Sequence, residues 1–194
     1  MAGELVHALL LQAMTKTYYH DPDQIRRACA RVKGLPIGDA AEVGVYRGEG
    51  AKCIAEALPG VTVHLFDTFC GMPALIQHGD WHKVGDFKDT SVPRVVEALN
   101  GYPIVVHQGL FPETAVAVPL RFVHVDCDLY RSTMDAMVWA WNNLVPGGII
   151  LCDDYNCASC PNAKRAINEW MVKVGAEGEF ENRFARFMKP GGVT

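Results

Sequence analysis

The sequence predicts an α/β fold in which helices cover both faces of a doubly wound, mainly parallel sheet. Short apolar segments with strand character alternate along the chain with longer segments of helical periodicity. The 194 residues show no internal repeat, low-complexity tract or long linker, so we expect a single domain over 1–194. Ligands of such sheets bind where the strands end, and functional residues should therefore follow the strands directly.

The N-terminal part predicts a helical segment over 1–35 ahead of the sheet. Apolar residues recur at helical spacing over 4–14 and 22–33. Asp21 is a good N-cap for the second helix, and Pro22 suits its first position.

The rest of the chain predicts strands and helices in alternation. Strands are expected at 37–45, 61–67, 102–109, 121–128 and 149–154. Helices are expected at 48–58, 91–101, 132–144 and 162–174. Ser132 and Asp135 resemble a capping box. The last segment, 178–189, predicts a terminal antiparallel hairpin.

The segment 68–90 is too long for a tight connection and too rich in aromatic residues and histidine for a spacer. We interpret it as a lid over the substrate. His78 and His82 could share a helical face and bind a metal. The favoured alternative is that both histidines and Trp81 contact substrate or solvent.

Composition excludes two classes of function and indicates a compartment. The net charge of −4 leaves no surplus of Lys and Arg for a nucleic acid, and no apolar run approaches the ~20 residues that span a membrane. Glu4 stands where a signal peptide would carry a basic residue, so we expect a cytoplasmic protein. The seven cysteines are expected to be free thiols, because Cys157 and Cys160 lack a second pair at zinc-site spacing.

A glycine-rich turn follows the first predicted strand, from Glu42 through Gly44, Tyr46 and Gly48 to Gly50. Its spacing, E-x-G-x-x-x-G, differs from the G-x-G-x-x-G of dinucleotide folds. It suits a ligand without a pyrophosphate, such as a nucleoside joined to an amino acid whose ammonium lies near the glutamate. The alternative is that the glycines serve tight packing alone.

Two further strand ends complete the predicted cofactor site. Asp67, followed by Thr68, ends the second strand and can accept hydrogen bonds from both ribose hydroxyls. Gln108 and Gly109 follow the third strand, where an adenine would lie. A solvated carboxylate at the end of the second strand is the alternative.

Four carboxylates follow the fourth and fifth strands: Asp126, Asp128, Asp153 and Asp154. These strands are neighbours in either common doubly wound order, so the carboxylates converge and repel each other unless they are protonated or hold a cation. Oxygen ligands favour Mg²⁺, Mn²⁺ or Ca²⁺. The alternative makes the first two aspartates turn residues and helix caps.

Five motifs, in this order and spacing, resemble the macrocin O-methyltransferase family: EVGVYRGEGA, LFDTFCGMP, GDFKDTS, HVDCDLYRST and PGGIILCDDYN. The resemblance covers about residues 37–172. It implies a class I methyltransferase fold and an enzyme that depends on S-adenosylmethionine and a metal and methylates sugars of macrolide and aminocoumarin natural products.

The resemblance also implies roles for individual residues. Glu42, Gly44 and Gly48 would form the cofactor turn, and Asp67 would bind the ribose. Mg²⁺ would bind Asp126, Asp153 and Asp154, which makes Asp126 catalytic through the metal, with Asp128 as the candidate general base. A vicinal diol is the natural acceptor, because two adjacent oxygens can chelate Mg²⁺.

The chain also departs from this family. It is shorter than the antibiotic-tailoring members, and 68–90 need not match theirs, so the acceptor is not implied. Three alternatives remain: a catechol-type O-methyltransferase, a nicotinamide-dependent oxidoreductase and a catalytically silent cofactor-binding protein. We further expect a homodimer, because small N-terminal helices alone would cover the pocket poorly.

Overall fold

The computed structural model describes residues 21–191, which form one mixed α/β sheet structure. The strands are β1 (Asp39–Val43), β2 (Val63–Asp67), β3 (Ile104–Gln108), β4 (Leu120–Val125), β5 (Leu144–Cys152), β6 (Gly178–Glu181) and β7 (Phe184–Met188). The helices are α1 (Pro22–Val32), α2 (Glu49–Ala57), α3 (Val92–Ala98), α4 (Tyr130–Asn143) and α5 (Pro161–Val174). The helix predicted over 4–14 lies outside the described residues.

The seven strands lie in the order β3-β2-β1-β4-β5-β7-β6. The first five are parallel, whereas β7 is antiparallel to both β5 and β6. This confirms the doubly wound sheet and the terminal antiparallel hairpin. Strand order reverses at β1, which lies between β2 and β4, and Val43 at its end is level with Phe66 and Val125.

Apolar layers cover both faces of the sheet, as expected of parallel strands buried on both sides. One layer includes Ile25 of α1 and Ile54 of α2, and the other includes Met137 of α4 and Trp170 of α5. Successive residues of β1 alternate between the two layers, as the period of a strand requires. The strand ends are therefore held rigidly, which fixes the loops that follow them.

The helix ends agree with the sequence in one case and not in another. Asp21 caps α1 as predicted, since its side chain accepts a hydrogen bond from the Asp23 N–H. The capping box predicted for α4 is wrong. This helix begins two residues earlier, Ser132 is buried within it, and Asp135 pairs with Arg131 at 2.6 Å.

Residues 68–90, all of them described, contain neither helix nor strand. The segment is anchored at its end and in its middle: the Thr90 hydroxyl donates to the Tyr46 carbonyl, and the Asn162 side chain donates to Asp80 Oδ1 at 2.8 Å. Among residues 21–191, no helix has the length and apolar character to cross a membrane.

Candidate functional site

A cavity of about 640 Å³ lies at the carboxyl edge of the parallel strands. Each of the five parallel strands contributes its last residue, or the residue directly after it, to the cavity lining. These residues are Gly44, Asp67, Gly109, Asp126 and Asp153. The volume is in the range of small-molecule sites, and the position is the one where doubly wound sheets bind ligands.

The glycine turn lies so close to the loop after β4 that a side chain at Gly44 would not fit. Gly44 has φ +91°, and a Cβ atom there would lie 1.9 Å from the Asp126 carbonyl oxygen. Tyr46 also has a positive φ, of 50°. The turn thus brings backbone to the cavity wall between β1 and β4.

Asp67 is the anchor of this turn as well as part of the cavity wall. Its Oδ2 accepts hydrogen bonds from the N–H groups of Val45 and Tyr46 at 2.8 and 2.9 Å. Its Oδ1 accepts one from the Phe69 N–H at 2.6 Å. A carboxylate offers about four lone-pair directions, so this one can hold the turn and still accept from a ligand hydroxyl.

Some predicted cofactor residues lie behind the cavity and do not line it. Glu42 is fully buried, and its Oε1 lies 2.9 Å from His124 Nδ1. A Cβ on Gly50 would lie 2.0 Å from the same oxygen, so this glycine allows α2 to pack over the pair. Gly48 faces α3 instead, with Val95 as its nearest neighbour.

Burial of His124 lowers its pKa, but the hydrogen bond and charge of Glu42 outweigh that effect, so the pKa of His124 is raised overall. The buried pair of Glu42 and His124 lies beneath α2, the helix that follows the turn, and so supports the turn from behind the cavity. Gln108 is exposed and does not line the cavity, whereas Gly109 forms part of its lining.

Tyr46 links the turn to the segment 68–90. Its hydroxyl donates to Asp89 Oδ1 at 2.8 Å, and its ring meets the edge of Phe87 with the ring centres 5.3 Å apart. Arg47 pairs with the other oxygen of Asp89. The sequence did not predict this link, because nothing in the sequence around Asp89 or Phe87 marks either residue as a partner of Tyr46.

Of the four carboxylates after β4 and β5 that the sequence predicts to converge, three form one group, which includes Asp128 and leaves out Asp153. Oxygen atoms of Asp126, Asp128 and Asp154 all lie within 4.8 Å of one another. Asp128 adopts a left-handed conformation with φ 58°, and its N–H donates to Asp154 Oδ2 at 3.2 Å. Burial, followed by repulsion from the neighbouring carboxylates, raises the pKa of Asp154 well above its usual range. The cluster is therefore suited to a divalent cation.

Asp153 stands beside this group and pairs with a residue that the sequence did not single out. Arg183, in the turn between β6 and β7, places Nε 2.7 Å from Asp153 Oδ1 and Nη2 3.1 Å from Asp154 Oδ1. Nothing near Arg183 in the sequence marks it as a site residue. A guanidinium here competes with a bound cation for the same carboxylates.

The segment 68–90 contributes one histidine to the site. His82 is buried, with Nε2 3.5 Å from Asp128 Oδ1, whereas His78 is exposed. Residues 78–82 are not helical, so the two histidines do not share the helical face that a metal pair would need, and the favoured interpretation, contact with substrate or solvent, stays a prediction. Burial lowers the pKa of His82, but the hydrogen bond and charge of Asp128 outweigh it and raise the pKa overall.

Two cysteines precede α5, and one of them lies next to the same aspartate. The Cys160 thiol donates to Asp128 Oδ1 at 3.0 Å and lies 3.5 Å from His82 Nε2. A hydrogen bond with Cys160 lowers the pKa of the Cys157 thiol to about 5, against the opposing effect of burial. All seven cysteines are free thiols in the structure.

Comparisons with known proteins agree on one family. The sequence model of the family described as Macrocin-O-methyltransferase (TylF) matches residues 11–177. The chain is 28% identical over 181 residues to mycinamicin III 3''-O-methyltransferase of Micromonospora griseorubida, covering 78% of this chain and 70% of the relative.

A second relative carries a sugar in its name. The chain is 30% identical over 162 residues to 8-demethyl-8-(2,3-dimethoxy-alpha-L-rhamnosyl)-tetracenomycin-C 4'-O-methyltransferase of Streptomyces olivaceus, covering 73% of this chain and 60% of the relative. Among solved structures, the O-methyltransferase NovP matches with a TM-score of 0.75 at 24% identity, over 87% of this chain and 79% of NovP. This last likeness shows a shared fold.

Proposed function

The chain belongs to the macrocin O-methyltransferase (TylF) family and is an S-adenosylmethionine-dependent O-methyltransferase; we propose that it methylates a hydroxyl of a vicinal diol with the help of Mg²⁺. The proposed acceptor is a sugar or a glycosylated natural product. One observation carries the proposal: three carboxylates converge within 4.8 Å beside the cavity that Gly44 and Asp67 line.

The cofactor would occupy the half of the cavity next to β1, β2 and β3. S-adenosylmethionine supplies an electrophilic methyl group on a sulfonium. Asp67 would accept hydrogen bonds from the ribose, as acidic residues at this strand end do in dinucleotide folds. Gly109 and the apolar side chains of Leu110 and Phe111 line the cavity where the flat adenine would lie. Glu42 and Gly50 would act from below, by keeping the turn in place.

The carboxylate cluster fits a hard divalent cation. It offers oxygen atoms alone, and the buried Asp154 carries repulsion that a cation would relieve. Asp126 and Asp154 would hold the ion together with Asp153, which would exchange its pairing with Arg183 for the metal. When bound, Mg²⁺ supplies positive charge that lowers the pKa of the acceptor hydroxyl.

Asp128 is the proposed general base. It lines the cavity, and contacts with Cys160 and His82 fix one of its oxygens. Asp128 would take the proton of the hydroxyl while the oxygen forms its bond to the methyl carbon. The carbon–sulfur bond would break as the oxygen–carbon bond forms, its electron pair would stay on sulfur, and the products would be an ether and S-adenosylhomocysteine. In-line placement of the two reactants would supply most of the rate advantage.

The relatives support the acceptor class. One is named for the 3''-O-methylation of mycinamicin III, and the other is named for the 4'-O-methylation of a rhamnosyl-bearing compound. Within 68–90, Trp81 is 55% exposed and His82 lines the cavity, which supports the proposal that this segment contacts the acceptor. We keep a homodimer in the cytoplasm as an expectation, and light scattering tests the first part of it.

Acceptor analogues test the proposed function. The enzyme is given S-adenosylmethionine and a panel of glycosides with a free vicinal diol, the same glycosides with one hydroxyl of the pair blocked, and catechols. We expect S-adenosylhomocysteine to accumulate with the diol glycosides and not with their blocked counterparts. Equal turnover of the blocked glycosides would refute the diol requirement, and turnover of catechols alone would favour the catechol-type alternative.

A further inference from the structure

We propose that His82, Asp128 and Cys160, with Cys157 beside them, form a binding site for Zn²⁺ that adjoins the carboxylate cluster for Mg²⁺ and shares Asp128 with it. The ligand atoms are His82 Nε2, Asp128 Oδ1 and Cys160 Sγ, which lie within 4.8 Å of one another. One imidazole, one carboxylate and one thiol are the ligand types that zinc takes in proteins.

Two of the three separations of these atoms match the edges of a zinc tetrahedron, and the third is shorter. In a tetrahedral zinc site with ordinary bond lengths to nitrogen and sulfur, neighbouring ligand atoms lie roughly 3.3–3.6 Å apart. The observed distances are 3.5 Å from His82 Nε2 to Asp128 Oδ1, 3.5 Å from Cys160 Sγ to His82 Nε2, and 3.0 Å from Cys160 Sγ to Asp128 Oδ1. Entry of the ion therefore needs only a small opening of the thiol–carboxylate contact.

Cys157 is placed to become the fourth ligand. The Cys160 N–H donates to the Cys157 carbonyl at 3.2 Å, which closes a tight turn across the C-x-x-C sequence. Sulfur atoms of both residues lie within 4.8 Å of each other. Structural zinc sites commonly draw two ligands from this spacing. A rotation of the Cys157 side chain would bring its sulfur to the ion.

The site is enclosed and has a path for entry. Cys160 and His82 are buried, at 1% and 6% exposed, whereas Asp128 faces the cavity. The imidazole comes from 68–90 and the thiols from the loop before α5, so the fold unites residues almost eighty positions apart. Sulfur and imidazole favour zinc over Mg²⁺, while the oxygen cluster has the opposite preference. Two adjacent sites can thus select different ions.

Zinc at this site would also affect the proposed reaction. It would take Asp128 Oδ1 and would tie 68–90 to the loop before α5, and we expect Zn²⁺ to inhibit methyl transfer. This consequence rests on the proposed function, but binding of the ion does not. The test therefore measures binding without acceptor or cofactor.

Cobalt serves as the spectroscopic probe of the site. The reduced full chain is titrated with Co²⁺ in excess Mg²⁺, with a phosphine as the reductant, and Zn²⁺ is then added. We expect a near-ultraviolet thiolate-to-cobalt charge-transfer band that saturates at one equivalent and disappears as Zn²⁺ displaces the probe. A direct titration with Zn²⁺ against a chromogenic chelator gives the affinity.

Matched cysteine variants identify the ligands. Cys160→Ser should weaken the band, because only the Cys157 thiolate would remain as a sulfur ligand, and should weaken Zn²⁺ binding by more than the roughly 10- to 100-fold that removal of an outer partner costs. His82→Gln should weaken binding similarly while the band shifts. Cys70→Ser, which removes an exposed thiol of the same segment 68–90, should bind as the wild type does.

Two results would overturn the proposal. One is the lack of any thiolate band in the wild type, and the other is unchanged zinc affinity in Cys160→Ser. Circular dichroism confirms that each variant is folded. A wild-type protein that binds cobalt but transfers no methyl group would count against the proposed function alone, because cobalt binding is measured without acceptor and cofactor.

Discussion

The guanidinium of Arg183 lies 2.7 Å from the carboxylate of Asp153, at the edge of the acidic cluster. The same guanidinium reaches Asp154 at 3.1 Å. Asp153 and Asp154 are at most 3% exposed. They need such a positive charge beside them, because an unpaired buried charge is strongly destabilising. The proposed Mg²⁺ would supply this positive charge in place of Arg183, which would then no longer need to pair with the two carboxylates.

Asp153→Asn is expected to abolish turnover and leave the affinity for S-adenosylmethionine nearly unchanged. The amide keeps the shape of the side chain but loses the negative charge that would hold the metal. We expect kcat to fall about 100-fold or more. Steady-state kinetics and a calorimetric titration check this, with Asp135→Asn as a control that removes a carboxylate paired on α4. Full activity of Asp153→Asn would show that the reaction does not need this carboxylate.

Asp67→Ala is expected to weaken cofactor binding. The ribose would lose its acceptor, and a hydrogen bond to a charged group contributes about 1.5–3 kcal/mol, which corresponds to roughly tenfold or more in Kd. Calorimetric titration with S-adenosylmethionine, with and without Mg²⁺, measures the loss. Asp39→Ala, at the opposite end of the sheet beside His64, should bind like the wild type. Wild-type affinity in Asp67→Ala would remove Asp67 from the site.

Gly44→Ala should destabilise the protein by several kcal/mol, because a Cβ atom would meet the Asp126 carbonyl oxygen at 1.9 Å. Gly60→Ala is the matched control. Gly60 also has a positive φ, of 81°, but no atom lies within 4 Å of its Cβ position, so we expect only the strain of about 1 kcal/mol. Urea unfolding of both variants measures the difference. Equal losses would mean that the contact at Gly44 relaxes freely.

Acid should weaken the contribution of Glu179 to stability. Hydrogen bonds from Arg31 and Arg186 lower the pKa of Glu179 from 4.5 to about 2. Because the folded-state pKa is depressed, the contribution is fully present above pH 4.5 and is lost as the pH falls toward 2. Because Glu179 is exposed, we expect these ion pairs to contribute at most about 1 kcal/mol to the free energy of unfolding at pH 7. Glu179→Gln should cost this amount at pH 7 and less at pH 3.5 in urea unfolding; an equal cost at both values would contradict the assignment.

Strand ends were predictable from the sequence because two regularities combine. Parallel strands are short apolar runs in the sequence, and their carboxyl ends meet at one edge, so the sequence places Asp67, Asp126 and Asp153 at the edge where the cavity lies. Glu42 was harder. It is one residue before the end of β1 and so points to the face under α2, and a turn motif does not reveal which face a side chain takes.

The long-range partners were not predictable. Arg183 reaches the cluster from the turn after β6, and His82 reaches Asp128 from an irregular segment. Neither residue has a periodic pattern or a motif around it, and loop paths depend on the packing of the whole domain. The helix start at Tyr130 was missed for a related reason, since Ser132 fills a buried position that its capping propensity does not anticipate.

The most direct test of the account is the metal dependence of methyl transfer. The enzyme is stripped with a chelator, S-adenosylmethionine and a diol glycoside are added, and the methylated product is measured by mass spectrometry with and without Mg²⁺, in the wild type and in Asp126→Asn. We predict product only with Mg²⁺ and only in the wild type. Equal product formation by the chelator-treated wild type without Mg²⁺ would contradict a metal-assisted reaction at the carboxylate cluster.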